Sequence, residues 1–61
     1  MFFLIDKKLN IVLAEIIANS YMTIDDALII CGFTIADDGK ILAKDGSATG
    51  AYFEDLEIII K

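Results

Sequence analysis

The sequence lacks the side chains on which most enzyme chemistry and metal binding depend. It contains no His, Arg, Trp or Pro, and its only Cys is Cys31. Without His, acid–base catalysis by imidazole, Ser-His and Cys-His nucleophiles and the usual zinc sites are excluded. A single Cys cannot form an internal disulfide. We therefore expect a protein that is not an enzyme, with no cofactor, no metal and no disulfide framework.

Basic residues are scarce. Five lysines stand against ten acids, which gives a net charge of −5. The imbalance is uneven: residues 1–22 sum to zero, whereas residues 23–61 hold eight acids and three lysines and so carry all of it. Because nucleic acid binding needs a basic face, we expect no direct contact with DNA or RNA. An acidic chain is suited instead to a partner protein with a basic surface.

Long apolar stretches are also missing. Apolar stretches such as residues 11–14 and 27–31 are at most five residues long, whereas a membrane-spanning helix needs about 20 apolar residues. The run Phe2–Ile5 precedes the lysines Lys7 and Lys8, which is the reverse of the order in a signal peptide. We expect a cytoplasmic protein without a targeting or membrane segment.

What the chain has in excess is apolar side chains. Residues 1–61 are expected to form a single small domain, yet 57% of them are apolar and twelve are Ile. A domain of this size buries only about 60% of the surface that its unfolded chain exposes. Another copy of the chain, or a partner protein, is therefore expected to cover the apolar side chains that the domain cannot bury. We expect a homo-oligomer.

Residues 2–20 allow two interpretations. A 3-4 spacing of apolar residues is typical of one face of a helix. The alternative is a strand over 2–5, a turn at 6–8 and a helix after it, since Phe-Phe-Leu-Ile suits a strand. We expect a strand over 2–5 and a helix over 9–20. The apolar stripe is also the predicted self-association surface, and it consists of Phe2, Ile5, Leu9, Val12 and Ile16.

The rest of the chain has clearer signals. Thr23 is a good helix N-cap, acids follow it, and Gly32 supplies a stop, which predicts a short helix between them. The apolar period then changes to two. It predicts strands over 33–36, 40–44 and within 52–60, with turns at 37–39 and 45–50. The predicted fold is α+β: one or two short helices packed on a small antiparallel β-meander.

The segment Thr23–Leu28 followed by Gly32 resembles the helix of excisionase-type winged-helix modules. In that resemblance the hairpin at 33–44 would be the wing. Such modules contact DNA through basic residues, and these are missing here. The resemblance covers about twenty residues, and no function is carried over from it.

Three local patterns have a simpler explanation than a reaction. Asp45–Gly50 matches an EF-hand loop at positions 1, 3, 5 and 6, but position 12 is Leu56, so we expect a hairpin loop. Asp37 and Asp38 are adjacent acids, and we expect a solvated turn rather than a catalytic pair. Cys31 has no His to activate it, and we expect a buried, inert thiol.

The acidic half of the chain carries the predicted partner-binding surface, which consists of Glu54, Asp55, Glu57, Asp37 and Asp38. The alternative is a surface that only keeps the protein in solution. We expect a small acidic protein-binding module. By analogy of size and charge, it resembles phage or mobile-element inhibitors that occlude a basic site of a restriction or CRISPR nuclease. The competing interpretation is a structural, self-associating adaptor.

Overall fold

The structure of the chain is a computed structural model that describes residues 1–18 and 21–61. Along these residues the elements are β1 (Phe2–Asp6), β2 (Ile11–Ile16), α1 (Ile24–Cys31), β3 (Thr34–Ile35), β4 (Lys40–Leu42), β5 (Ala48–Tyr52), a 3₁₀ turn (Phe53–Asp55) and β6 (Leu56–Ile60). The predicted α+β class, with a short helix and an antiparallel meander, is confirmed.

The first sheet, called here the β1 sheet, has the strand order β2-β1-β6 and is antiparallel throughout. The predicted strand over 2–5 is confirmed, and it is the central strand. Phe2 pairs with Ile16 on one side and with Ile60 on the other. Beyond these pairs, Met1 and Lys61 exchange two backbone hydrogen bonds of 2.9 Å. The two ends of the chain therefore lie side by side.

The predicted helix over 9–20 is wrong. Residues 11–16 form β2 instead, and residues 19–20 lie outside the described residues. Asn10 adopts a left-handed φ of 57° in the turn before the strand, where a helix could not continue. Three of the six β2 residues are β-branched, which favours a strand. An almost unbroken apolar run satisfies either period, so the pairing with β1 decides the outcome.

Two details shape the β1–β2 hairpin. Asp6 is 1% exposed, and its carboxylate accepts the N–H groups of Lys8 and Leu9 at 2.9 and 3.0 Å, which closes the turn. Further along, Leu4 pairs with Ala14 but Ile5 pairs with Val12, so β2 contains one extra residue, Leu13. Because of this bulge, Leu13 packs against the core next to Ala14, and Val12 lies on the opposite face beside Ile5.

The second sheet, called here the meander, has the order β3-β4-β5. The predicted turn at 37–39 is confirmed: Gly39 has φ 91° and donates its N–H to the carbonyl of Ala36 at 2.9 Å. The predicted loop over 45–50 is too long, because residues 48–52 already form β5. The predicted final strand is present as β6, but it pairs with β1 and not with the meander.

The register of β4 and β5 shifts between the pairs Lys40–Tyr52 and Leu42–Ala48. Gly50 lies in this irregular stretch with φ 90°, a conformation that favours glycine. The Thr49 hydroxyl donates to the carbonyl of Ile41 at 2.8 Å and accepts the N–H of Ala51 at 3.2 Å. These side-chain bonds take the place of ladder bonds that the irregularity removes.

The short helix is where the sequence places it. The Thr23 hydroxyl accepts the N–H of Asp26 at 3.1 Å, and the Asp26 carboxylate accepts the N–H of Thr23 at 3.3 Å. This is a reciprocal capping box. Gly32 ends the helix with φ 80°. A helix-turn-helix needs two such helices, and among residues 1–18 and 21–61 only α1 is an α-helix, so the winged-helix resemblance does not extend to the fold.

One apolar core joins the three parts of the molecule. The β1 sheet contributes Leu4, α1 contributes Leu28 and the meander contributes Ile41, and each of these is at most 3% exposed. The helix and the meander therefore cover the same face of the β1 sheet. The opposite face carries Phe3 and Ile5, because side chains alternate along a strand.

Candidate functional site

Two of the predicted partner-binding acids, Asp37 and Asp38, form the tip of the β3–β4 hairpin and are exposed. The Asp38 carboxylate accepts the backbone N–H of Lys40 at 3.0 Å, and it lies 3.7 Å from the Lys40 ammonium. An exposed pair of this kind adds little stability. It does, however, offset part of the negative charge at this tip.

Two further acids, Glu54 and Asp55, lie in the 3₁₀ turn, which backbone hydrogen bonds hold on both sides. The N–H of Phe53 donates to the carbonyl of Gly39 at 2.8 Å, and the carbonyl of Asp55 accepts the N–H of Lys7 at 2.9 Å. The turn is thus anchored to the hairpin tip and to the β1–β2 turn. The structure brings four of the five predicted acids to one end of the molecule, called here the acidic end: Asp37, Asp38, Glu54 and Asp55.

The fifth predicted acid is separate from the acidic end. Glu57 lies on β6 directly opposite Ile5, on the face of the β1 sheet that points away from the core. The five acids are therefore not one continuous patch. The sequence could not show this, because Glu57 changes face according to the register of β6 on β1.

The predicted self-association stripe is not one surface either. Phe2 and Ile16 pair with each other and are buried in the core. Ile5 and Val12 pair on the opposite face of the sheet, and Leu9 is exposed in the turn between the strands. The stripe assumed a helical period, whereas in a strand neighbouring positions alternate between faces. Phe2 and Ile16 are thus excluded from any surface contact.

A different apolar surface, which the sequence analysis missed, is the outer face of the β1 sheet. We define the outer face by its three strands and six side chains: Val12 and Glu15 on β2, Phe3 and Ile5 on β1, and Glu57 and Ile59 on β6. Phe3, Ile5 and Ile59 are half-buried and Val12 is 57% exposed. None of the four belongs to the core or packs against it. The sequence signal was the unbroken apolar run in each strand, which is typical of strands covered on both faces.

Exposed apolar side chains also flank the helix. Ile29 and Ile30 are exposed on α1, and with Ala18 and Tyr21 they line a shallow cleft of ≈ 290 Å³. A second cleft, of ≈ 380 Å³, lies between the start of α1 and β6. Apolar side chains make up most of both linings, with Thr23, Asp25 and Glu57 at the second cleft and Asp26 at the first.

The Asp45 loop is a hairpin turn, as the sequence predicts. The Asp45 carboxylate accepts the Ser47 hydroxyl at 2.6 Å and the Ser47 N–H at 2.9 Å. These hydrogen bonds, the one from the hydroxyl first, hold the pKa of the exposed Asp45 below its ordinary value of 3.8. Thr49, the third oxygen of the EF-hand pattern, donates its hydroxyl to Ile41 instead. The Thr49 hydroxyl is thus hydrogen-bonded within the meander.

Cys31 ends α1 and packs half-buried against the core. Burial raises the pKa of its thiol, which leaves it less reactive. Among residues 1–18 and 21–61, no three acidic, Cys or His side chains come close enough together to hold a metal ion. Over the same residues, the helix is too short to cross a membrane.

Comparison with known proteins finds no matching family model, no matching curated protein and no matching solved structure.

Proposed function

We propose that this chain is a small acidic protein-binding module that occludes a basic surface of another protein, without catalysis of its own. The observation that carries the proposal is the acidic end. Backbone hydrogen bonds to Gly39 and Lys7 fix the turn that presents Glu54 and Asp55. Acids on an ordered turn lose little further conformational freedom when they bind, and their charge speeds the encounter with a basic partner.

The partner class follows from the chemistry of such a surface. Carboxylates at the acidic end, where Asp37, Asp38 and Glu54 are exposed and Asp55 is half-buried, can take the place of phosphates on a site lined with Lys and Arg. A nuclease presents a site of this kind to its nucleic acid. We propose an inhibitor of a host defence nuclease, carried by a phage or mobile element and acting in the cytoplasm, as the role that the size and the net charge of −5 favour.

The test is a charge reversal at the acidic end. The double variant E54K/D55K should lose capture of a nuclease from extract of the native host, and association should slow about ten-fold or more because steering is electrostatic. The measurement is affinity capture with mass spectrometry at increasing salt, followed by association kinetics with the captured protein.

A control with the same change of net charge is D25K/D45K, since both acids are exposed and lie outside the acidic end. It should keep the captured partner. Circular dichroism must show that both double variants fold. A folded E54K/D55K variant that associates as fast as the wild type would overturn occlusion by the acidic end.

A second candidate function is self-association as a structural or adaptor module. The observation that favours it is the presence of exposed apolar side chains on two sides of the molecule, Val12 on β2 and Ile29 and Ile30 on α1. We propose that the chain forms a homodimer in either case. For an adaptor, partner binding would be apolar and therefore insensitive to salt, whereas binding through the acidic end weakens as salt is added.

A further inference from the structure

We infer that a second copy of this chain packs on the outer face of the β1 sheet. The inference rests on the self-association given under Proposed function and names its surface. The three strands contain the apolar runs 2–5, 11–14 and 58–60. Such runs are typical of strands covered on both faces, yet α1 and the meander cover only one face of this sheet.

The layout of the outer face follows from the strand register. Ile5 has Val12 on one side and Glu57 on the other. In the next row Phe3 has Glu15 on one side and Ile59 on the other. The centre and one diagonal of the face are therefore apolar. The two acids occupy the remaining, opposite corners.

Charge complementarity favours a second copy as the occupant, because Glu15 and Lys61 have opposite charges and lie at opposite edges of the outer face. Consider a two-fold axis that lies between the two copies and runs parallel to β1. It places β2 of one copy over β6 of the partner copy. Glu15 then faces the partner copy's Ile59, and no acid faces another acid. Lys61 continues the same side of β6, and its ammonium lies 5.9 Å from the centre of the Phe3 ring, at this face. The packing brings it within side-chain reach of the partner copy's Glu15.

The two-fold arrangement limits the electrostatic repulsion between two acidic copies. A chain with a net charge of −5 repels its own copies through most of its surface. On the outer face, by contrast, no acid faces another acid, and Glu15 lies within side-chain reach of the partner copy's Lys61. The apolar centre is small, so we expect a dimer that dissociates on dilution.

The decisive experiment exchanges charges between the two copies, with sedimentation velocity over a concentration series as the measurement. E15K alone and K61E alone each replace two attractions by two repulsions and should weaken the dimer about ten-fold. An equimolar mixture of the two variants should form a heterodimer about as tight as the wild type. In that heterodimer one copy offers only positive charges and the other only negative charges at these positions.

A second pair of variants tests the apolar centre. V12E should weaken the dimer at least ten-fold, because the two-fold arrangement places position 12 opposite the partner copy's Glu57 and so sets two carboxylates against each other. I30E is the matched control, because Ile30 is similarly exposed, at 61% against 57% for Val12, and lies on α1. It should leave the dimer unchanged. Both positions are open to solvent, so both variants should fold.

The outcomes separate the two levels of the proposal. A wild-type chain that stays monomeric at every concentration would overturn self-association and this face together. A dimer that V12E leaves intact, or that I30E weakens instead, would overturn the face alone. A dimer weakened by V12E but not restored in the E15K and K61E mixture would overturn the two-fold arrangement.

Discussion

The β1 sheet and the meander hold the same core from two sides, but they form in different ways. The meander joins strands of two to five residues through turns rich in Asp and Gly. The β1 sheet joins β1 to β6, which lies at the other end of the sequence. Local turn chemistry therefore determines the meander. The β1 sheet depends on apolar composition and on pairing between distant segments.

The two sheets are nevertheless one thermodynamic unit, because their buried residues touch the same core. Leu4 of the β1 sheet and Ile41 of the meander are both fully buried. A small domain with a single shared core is expected to unfold in one cooperative step. Variants in each sheet can therefore be compared through the free energy of unfolding of the whole chain.

The largest expected loss of stability comes from a substitution at the centre of the β1 sheet. Leu4→Ala leaves a cavity at a fully buried position of the central strand and should lower the free energy of unfolding by about 2–5 kcal/mol. A domain of this size rarely has more than about 3–5 kcal/mol in total, so the variant should be largely unfolded. Urea titration followed by circular dichroism measures this.

The matched control for Leu4→Ala is Ile60→Ala on the edge strand β6, where the side chain is 64% exposed. It should change the free energy of unfolding by less than about 1 kcal/mol. If Leu4→Ala were as mild as the control, the β1 sheet would not provide the centre of the core.

The next largest effect concerns two glycines of the meander. Gly39 and Gly50 have φ values of 91° and 90°, and a Cβ at either position would meet no atom closer than 3.9 Å. The cost of a side chain there is therefore backbone strain alone. Gly39→Val and Gly50→Val should each destabilise by about 1 kcal/mol or more, and Asn should cost less because it tolerates positive φ. Thermal unfolding gives the values.

The order of the two substitutions is the informative result. Val variants that melt no lower than the Asn variants would show that positive φ is not required at these turns. The meander would then owe its form to packing, like the β1 sheet, and the difference between the two sheets would disappear.

The smallest effect concerns pH. Hydrogen bonds from Ser47 lower the pKa of Asp45 in the folded chain. A lowered folded-state pKa adds stability above the unfolded value, and this contribution is lost as the pH falls through the folded value. The window therefore opens below about pH 4, near the ordinary value of 3.8. In this pH range the melting temperature of Asp45→Asn should decrease slightly less than that of the wild type.

The measurement is the melting temperature of the wild type and of Asp45→Asn, plotted against pH from pH 7 down to pH 2.5. The two melting temperatures should approach each other as the pH decreases. Curves that stay parallel over the whole range would show that Ser47 does not favour the charged carboxylate. A direct titration of the Asp45 carboxyl by NMR gives the same information residue by residue.

Much of the fold was predictable where the signal is local. The capping box at Thr23, the stop at Gly32 and the turn at Gly39 each depend on residues within four positions of one another. The interpretation of residues 9–20 as a helix failed because residues 11–16 form a strand, and that strand depends on pairing with β1. Without that partner, an apolar run with a 3-4 spacing fits both periods.

The candidate surfaces were predictable only in part. The acids at 37–38 and 54–55 were identified from charge, and a backbone hydrogen bond between Phe53 and Gly39 brings them together. Glu57 was assigned to the same surface, but the register of β6 places it opposite Ile5. The outer face of the β1 sheet was not foreseen, because a face exists only once three distant strands are aligned.

The position of β1 between β2 and β6 has a consequence for synthesis on the ribosome. β1 is made first and β2 soon after, so the hairpin can form early. The other edge of β1 stays unpaired until β6, the last of the strands, has been translated. During that interval an apolar strand with open backbone groups is a template for aggregation. The time between the first and the last strand is therefore when a nascent chain most needs protection.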